Sequence, residues 1–203
     1  MGLGKMGRRG QCAVLAAWLC VAAATGQSAA ADAATDAQLA AGEILVTTRA
    51  IAGSELPEAT VQAVIDAPPV AVWKIVDDCA NYKRNMMRIA ESKLLSRTGA
   101  VSVCEVTVDM PMPMRNMTSV NEATATVGPP QWKRAWKLLR GDYKRNEGSW
   151  TLTAFDTAGT RTRVVYKIWA EPNISVPNFL IRKAQLSALP DMIKKLRSTL
   201  GAK

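Results

Sequence analysis

The segment that most restricts the possible folds is the last one, Val176 to Leu200, because its apolar residues follow a helical period. They recur in steps of three, four and seven residues, and the basic residues fall largely off this stripe. Pro177 suits the first turn of a helix, Gly201 follows the last apolar residue, and Pro190 inside the pattern predicts a bend. The chain is therefore predicted to end in a long, bent helix whose apolar stripe is covered by another layer. The stripe consists of Phe179, Leu186, Leu189, Ile193, Leu196 and Leu200.

The chain before this helix is rich in short segments that alternate apolar and polar residues, which predicts strands. Strands over 43–51 and 59–65 are followed by two short predicted helices, 70–76 and 81–87, and then by a meander of antiparallel strands separated by Gly and Pro. The prediction is an α+β helix-grip fold, in which a curved antiparallel sheet surrounds the long C-terminal helix. The meander strands are predicted at Ile89–Arg97, Val101–Asp109, Arg115–Val127, Gln131–Arg140, Ser149–Phe155 and Thr160–Ala170.

The first 31 residues are typical of a secretory signal peptide. A basic start with Lys5, Arg8 and Arg9 precedes an uncharged apolar run that is too short for a membrane span, and small residues follow it. We therefore expect residues 1–31 to be removed, 32–42 to form a flexible leader and 43–203 to form the domain. The protein is predicted to be periplasmic or secreted.

The charge balance is basic but scattered. Removal of the three basic residues of the signal peptide leaves 23 Lys and Arg against 17 Asp and Glu, a net charge of +6. No arginine-rich run or nucleic-acid-binding motif accompanies this charge, so we predict no nucleic-acid partner, a monomer, and transient contact with anionic membrane surfaces. The densest basic tract is interpreted as a solvated face. It consists of Arg134, Lys137, Arg140, Lys144 and Arg145.

Two cysteines, Cys79 and Cys104, remain in the mature chain. An even pair in an oxidising compartment favours a disulfide, although two buried free thiols are the alternative. The chain contains no histidine, the commonest general base, and no nucleophile motif. Methionine thioethers at 110, 112, 114 and 117 are soft Cu(I) ligands, but no His or free Cys lies beside them. We predict no metal, no cofactor and no catalytic residues.

Strand parity predicts which side chains face the helix. The inward sets are rich in Trp, Tyr and Met, which form apolar walls able to adapt to a guest, although each residue could equally belong to a packed core. The predicted ligand-binding residues are Trp73, Met110, Met112, Trp132, Trp136, Trp150, Tyr166, Phe179, Leu186, Leu189 and Ile193.

Several short motifs, in this order, resemble the START-like or SRPBCC superfamily, and the chain is most similar to its bacterial polyketide cyclase and coenzyme Q-binding branch. The resemblance covers about residues 43–200 and implies a hydrophobic tunnel between sheet and helix, but no universal catalytic residue. The motifs are Val64-Ile65-Asp66-Ala67-Pro68-Pro69 with Val72-Trp73, Asp77-Asp78 and Asn81-Tyr82, then Asp109-Met110-Pro111-Met112-Pro113, Gly148-Ser149-Trp150 with Leu152, Gly159-Thr160 with Val164-Val165-Tyr166, Val176-Pro177 and Leu189-Pro190.

The sequence thus predicts non-covalent binding and carriage of a lipid, sterol or quinone in an internal cavity. Two alternatives stay open. One is a cyclase or dehydratase of aromatic polyketides, which a buried carboxylate with a perturbed pKa facing the pocket would favour. The other is a protein-interaction module with a filled core, which an exposed apolar patch would favour.

Overall fold

A computed structural model describes residues 1–2, 32–110, 112 and 114–202. The predicted signal peptide lies almost entirely outside the described residues. Residues 32–40 form helix α1. The sequence predicted a flexible leader over 32–42, whereas this alanine-rich stretch is helical, because alanine has the highest helix propensity of all residues. Leu39 is fully buried.

The strands and the remaining helices belong to one compact unit, Leu39–Lys203. Within the described residues, no helix is both long and apolar enough to cross a membrane. The helical elements are α2 (Pro69–Val76), a 3₁₀ turn (Cys79–Asn81), α3 (Tyr82–Asn85) and α4 (Asn178–Thr199). The strands are β1 (Leu45–Arg49), β2 (Glu58–Ile65), β3 (Ile89–Thr98), β4 (Val101–Val108), β5 (Met117–Thr126), β6 (Gln131–Gly141), β7 (Tyr143–Ala154) and β8 (Thr162–Pro172).

The eight strands form one curved, open antiparallel sheet in the order β1-β2-β8-β7-β6-β5-β4-β3. The strands from β3 to β8 are the predicted meander, and β2 closes against β8 with Val61 opposite Tyr166. This architecture confirms the predicted helix-grip fold. One face of the sheet, called the inner face below, packs with α2 and α4 around the hydrophobic core.

Helix α4 covers the inner face through Ile181, Leu189, Ile193 and Leu196, which are buried. Pro190 lies inside the helix. Phe179, which the predicted stripe placed inward, is 70% exposed, and Ile181 in the next half-turn is buried instead. Most of the buried side chains therefore belong to the C-terminal half of α4.

Strand β7 begins six residues earlier than the sequence predicted. Glu147-Gly148 was interpreted as a boundary, but both residues lie within the strand and pair with β6 and β8. A glycine inside a strand can mark close approach of another group as well as an end. Here that group is the side chain of Trp136.

Candidate functional site

Aromatic side chains on three neighbouring strands line the middle of the inner face. Trp150 of β7 lies opposite Tyr166 of β8, with their ring centroids 4.4 Å apart. Trp136 of β6 also stacks on Tyr166, with their ring centroids 5.7 Å apart. Trp132 also faces inward on β6, with Arg134 between it and Trp136, and it packs against the same core. Four of the predicted ligand-binding residues therefore meet in one aromatic wall.

Gly148 determines how Trp136 lies in this wall. A Cβ atom at position 148 would lie 2.6 Å from Cζ2 of Trp136 and would also collide with the carbonyl oxygen of Lys167. Only glycine leaves room for an indole ring at this point of β7. The glycine therefore lets the Trp136 ring extend across β7 towards Tyr166.

All three tyrosines of the chain lie deep in the fold without being fully covered. Burial raises the pKa of Tyr82 and of Tyr143 to about 12, and it raises the pKa of Tyr166 well above its usual range. Each nevertheless keeps part of its surface open. Tyr82 and Tyr166 pack against the hydrophobic core while keeping some accessible surface.

A pocket of about 680 Å³ opens at one end of the aromatic wall. Trp132 contributes to it together with Pro69 at the start of α2, Pro130 in the β5–β6 turn and Ala154 at the end of β7. This volume falls within the range typical of small-molecule sites. Since Trp132 borders both the pocket and the core, the pocket is an open apolar depression beside the inner face.

The role of Arg134 was predicted incorrectly from the sequence. It was assigned to a solvated basic face, but its side chain is only 4% exposed. Its guanidinium donates hydrogen bonds to Asp77 at 2.9 Å, to Ser102 Oγ at 2.9 Å and to Cys104 Sγ at 3.2 Å. Arg97 binds the other carboxylate oxygen of Asp77 at 2.6 Å. The parity that placed Trp132 and Trp136 inward also places Arg134 inward, so the signal was available.

The disulfide joins Cys79 in the 3₁₀ turn to Cys104 in β4, with the Cα atoms 6.3 Å apart. Both cysteines are buried. The bond, together with the Arg134–Asp77 pair, fixes the corner that carries α2 and α3 to the inner face.

The other predicted ligand-binding residues occupy varied positions. Trp73 of α2 is buried in the core, as are Leu189 and Ile193, and Leu186 packs against the core while partly exposed. Strand β4 ends before Met110, so Met110 and Met112 lie in the β4–β5 loop rather than on the inner face, and Met112 is 94% exposed.

The described residues contain no group of three or more His, Cys, Asp or Glu side chains that could hold a metal ion. The partly buried carboxylate of Asp77 is paired with two arginines. What the inner face offers chemically is thus an apolar, aromatic surface with a few fixed polar groups, which is the usual composition of a small-molecule site.

This fold and site define a helix-grip protein. The sequence pattern of the family described as "Polyketide cyclase / dehydrase and lipid transport" matches residues 65–197, and the chain belongs to that family. No curated protein sequence matches the chain.

Solved structures show the same fold. A STAR-related lipid transfer protein (a fragment) from Xanthomonas axonopodis has 25% sequence identity and a TM-score of 0.68, and the match covers 77% of this chain and 93% of that one. Human StAR-related lipid transfer protein 5 has 11% identity and a TM-score of 0.65, with coverages of 90% and 97%. The Zhui aromatase/cyclase from a Streptomyces species has 14% identity and a TM-score of 0.54, with coverages of 78% and 93%. The family and the fold together indicate hydrophobic ligand binding or lipid transfer.

Proposed function

We propose that this chain is an exported protein that binds a hydrophobic small molecule, such as a lipid, sterol or quinone, between the sheet and α4 and carries it between surfaces. The observation that carries this proposal is the aromatic wall of Trp136, Trp150 and Tyr166 on the inner face of the sheet, beside the hydrophobic core. Burial of an apolar guest there would contribute roughly 25 cal/mol per Å² of apolar surface removed from water.

Export is supported by two features that are independent of the cavity. The chain begins with the pattern of a signal peptide. It also contains the Cys79–Cys104 disulfide, and such bonds persist in oxidising compartments such as the periplasm.

Carriage requires contact with a membrane, and one end of the molecule is suited to it. The β4–β5 loop, the β6–β7 turn and the end of β8 meet there through Asp142, whose carboxylate accepts hydrogen bonds from Arg115 and from the Thr118 N–H, at 2.9 and 2.8 Å. The Asp142 carbonyl accepts a third bond from the Asn173 N–H. Met112 in the β4–β5 loop is exposed, and so are Phe179 and Leu180 in the first turn of α4, the helix that follows the end of β8. We call this surface the apolar tip: Met112, Phe179 and Leu180 with Arg115, Lys144, Arg182 and Lys183.

Exposed apolar side chains flanked by Lys and Arg bind anionic bilayers through both hydrophobic burial and charge. The apolar tip therefore supports transient contact with an anionic membrane. This contact would bring the C-terminal helix, which covers the inner face, next to the lipid source.

The binding proposal is tested with diphenylhexatriene, a hydrocarbon that fluoresces when it leaves water. The secreted chain should bind it saturably, and extracted bacterial lipids should displace it. Trp136→Ala should weaken binding about tenfold, since it removes a large part of the apolar wall. Trp169→Ala is the matched control, because Trp169 has the outward parity of β8 and stacks under Arg145. No saturable binding by the wild-type chain, or equal loss in both variants, would contradict the proposal.

A further inference from the structure

A cluster of polar side chains interrupts the apolar inner face beside Trp136. The indole Nε1 of Trp136 donates to Asn146 Oδ1 at 3.1 Å. The amide nitrogen of Asn146 donates to Ser119 Oγ at 3.3 Å, and the amide nitrogen of Asn121 donates to the same oxygen at 2.9 Å. These four side chains, on strands β5, β6 and β7, form what we call the Asn121 cluster.

In the observed orientation of its side chains, the cluster lacks two hydrogen-bond partners. An indole nitrogen can only donate, so the oxygen of Asn146 faces Trp136 and its NH₂ group faces Ser119. Ser119 Oγ accepts from both amides, and its own proton is used in neither bond. Among the described residues, the amide oxygen of Asn121 has no hydrogen-bond partner, although the side chain is 91% buried. A buried acceptor without a donor is unfavourable.

The cluster adjoins the aromatic wall through Trp136. Trp136, which donates to Asn146, stacks on Tyr166 in the aromatic wall. Trp136 and Asn146 are both only partly covered, whereas Ser119 and Asn121 are buried. A guest lying along the aromatic wall would therefore meet Asn146 first. The Asn121 oxygen is buried, so a ligand group can reach it only when neighbouring side chains move.

One functional group can satisfy both the oxygen of Asn121 and the proton of Ser119. The Asn121 oxygen requires a donor, and the Ser119 proton requires an acceptor. A hydroxyl group supplies both, whereas the oxygen of an ether or a ketone can only accept. The apolar wall next to the cluster would hold the rest of the molecule.

We propose that the Asn121 cluster binds the hydroxyl end of an otherwise apolar alcohol. This inference rests on the proposed function and narrows its ligand class to molecules with a hydroxyl donor, such as sterols, long-chain alcohols or hydroquinones. Quinones and ethers of the same skeleton would bind less tightly, because they leave the Asn121 oxygen without a donor.

Competition between two matched compounds tests the proposal. Dodecanol and its methyl ether differ in the hydroxyl proton and one methyl group, and each is titrated against bound diphenylhexatriene. We expect wild-type protein to bind the alcohol about tenfold more tightly than the ether, as is typical when a buried polar group gains or loses its partner. Equal affinity of the two compounds would overturn the inference and leave the proposed function standing, whereas failure of diphenylhexatriene to bind would overturn both.

Asn121→Leu separates a ligand-binding role from a structural one. The variant should lose the preference for dodecanol, bind the methyl ether and diphenylhexatriene as before, and melt at an unchanged or higher temperature, since it removes an unpaired buried acceptor. A retained preference would contradict the assignment. Ser119→Ala, which deletes a single oxygen atom, should reduce the same preference, and it decides the question if the leucine variant does not fold.

Discussion

Single residues on the inner face combine structural and functional roles. Trp136 is positioned by Gly148, stacks on Tyr166 and donates to Asn146. Arg134, two residues earlier on the same strand, instead holds Asp77 and the corner of the fold. Neighbouring inward positions of β6 thus serve either the candidate site or the scaffold.

The buried tyrosines make stability sensitive to alkaline pH. An unfolded tyrosine has a pKa of 10.0, whereas burial raises the pKa of Tyr82 and Tyr143 to about 12. Below pH 10 both states are protonated and stability is fully present. Between about pH 10 and 12 the unfolded state ionises first, so stability falls as the pH rises. Urea unfolding at pH 8 and pH 11 should show this loss, and Tyr143→Phe should reduce it. A pH-independent midpoint would contradict the assignment.

Arg134 should be far more important for stability than the exposed basic residues of its strand. Arg134→Met leaves Ser102 and one oxygen of Asp77 without their partner, and we expect a loss of roughly 3 kcal/mol in the free energy of unfolding. Lys137→Met, which removes an exposed ion pair with Glu122, should change it by less than about 1 kcal/mol. Urea unfolding of both variants measures the difference. Equal effects would show that Arg134 behaves as a surface residue.

The sequence predicted the residues of the aromatic wall because strand parity depends only on a period of two. It did not predict the polar partners of Trp136 or Arg134, because Asn121, Asn146 and Asp77 come from other strands and from the end of α2. Contacts of that kind depend on register. A register is set by bulges, such as the one between Val120 and Asn121, that no local pattern reveals.

At the scale of elements, most boundaries of the strands and helices followed from the period of the apolar residues and from the Gly and Pro residues between the elements. The exceptions have physical causes. Gly148 belongs to a strand because a ring packs on it. Residues 32–40 are helical because of their alanine content. The β4–β5 loop leaves the strand direction before Met112, although the alternating methionines suggested continued extension.

The segment between β2 and β3, which contains α2 and α3, depends on the Cys79–Cys104 disulfide. Replacing both Cys79 and Cys104 by serine should lower the free energy of unfolding by about 3 kcal/mol, the chain-entropy value for a loop of this length. Wild-type protein unfolded under reducing conditions should match the variant. An unchanged midpoint in urea would mean that the Arg134–Asp77 pair and packing alone hold the corner.

At the scale of the whole molecule, the aromatic wall and the apolar tip would have separate roles in the proposed function, ligand binding and membrane contact. The wall is enclosed by the sheet and α4, whereas the tip presents exposed apolar side chains with basic neighbours. The fold and the family were predictable from the ordered motifs. The tip was not, since it combines a loop, a turn and the first turn of α4, which lie far apart in sequence.

The apolar tip should determine membrane contact without affecting binding in the interior. Phe179→Asp should reduce sedimentation with phosphatidylglycerol vesicles several-fold, because it replaces an apolar contact by a charge that anionic lipid repels. Diphenylhexatriene binding should remain unchanged. Val127→Asp, at an exposed apolar position in the β5–β6 turn at the other end of the strands, is the control and should leave sedimentation nearly unchanged. Equal loss in both variants would mean that the tip has no special role.

The most direct measurement of the central claim is native mass spectrometry of the protein, purified without detergent, followed by solvent extraction and mass analysis of what it releases. The aromatic wall of Trp136 and Tyr166 predicts a population of protein carrying one apolar small molecule, which Trp136→Ala should diminish and Trp169→Ala should not. A protein recovered only at its bare mass, with no affinity for diphenylhexatriene or bacterial lipids, would contradict the account.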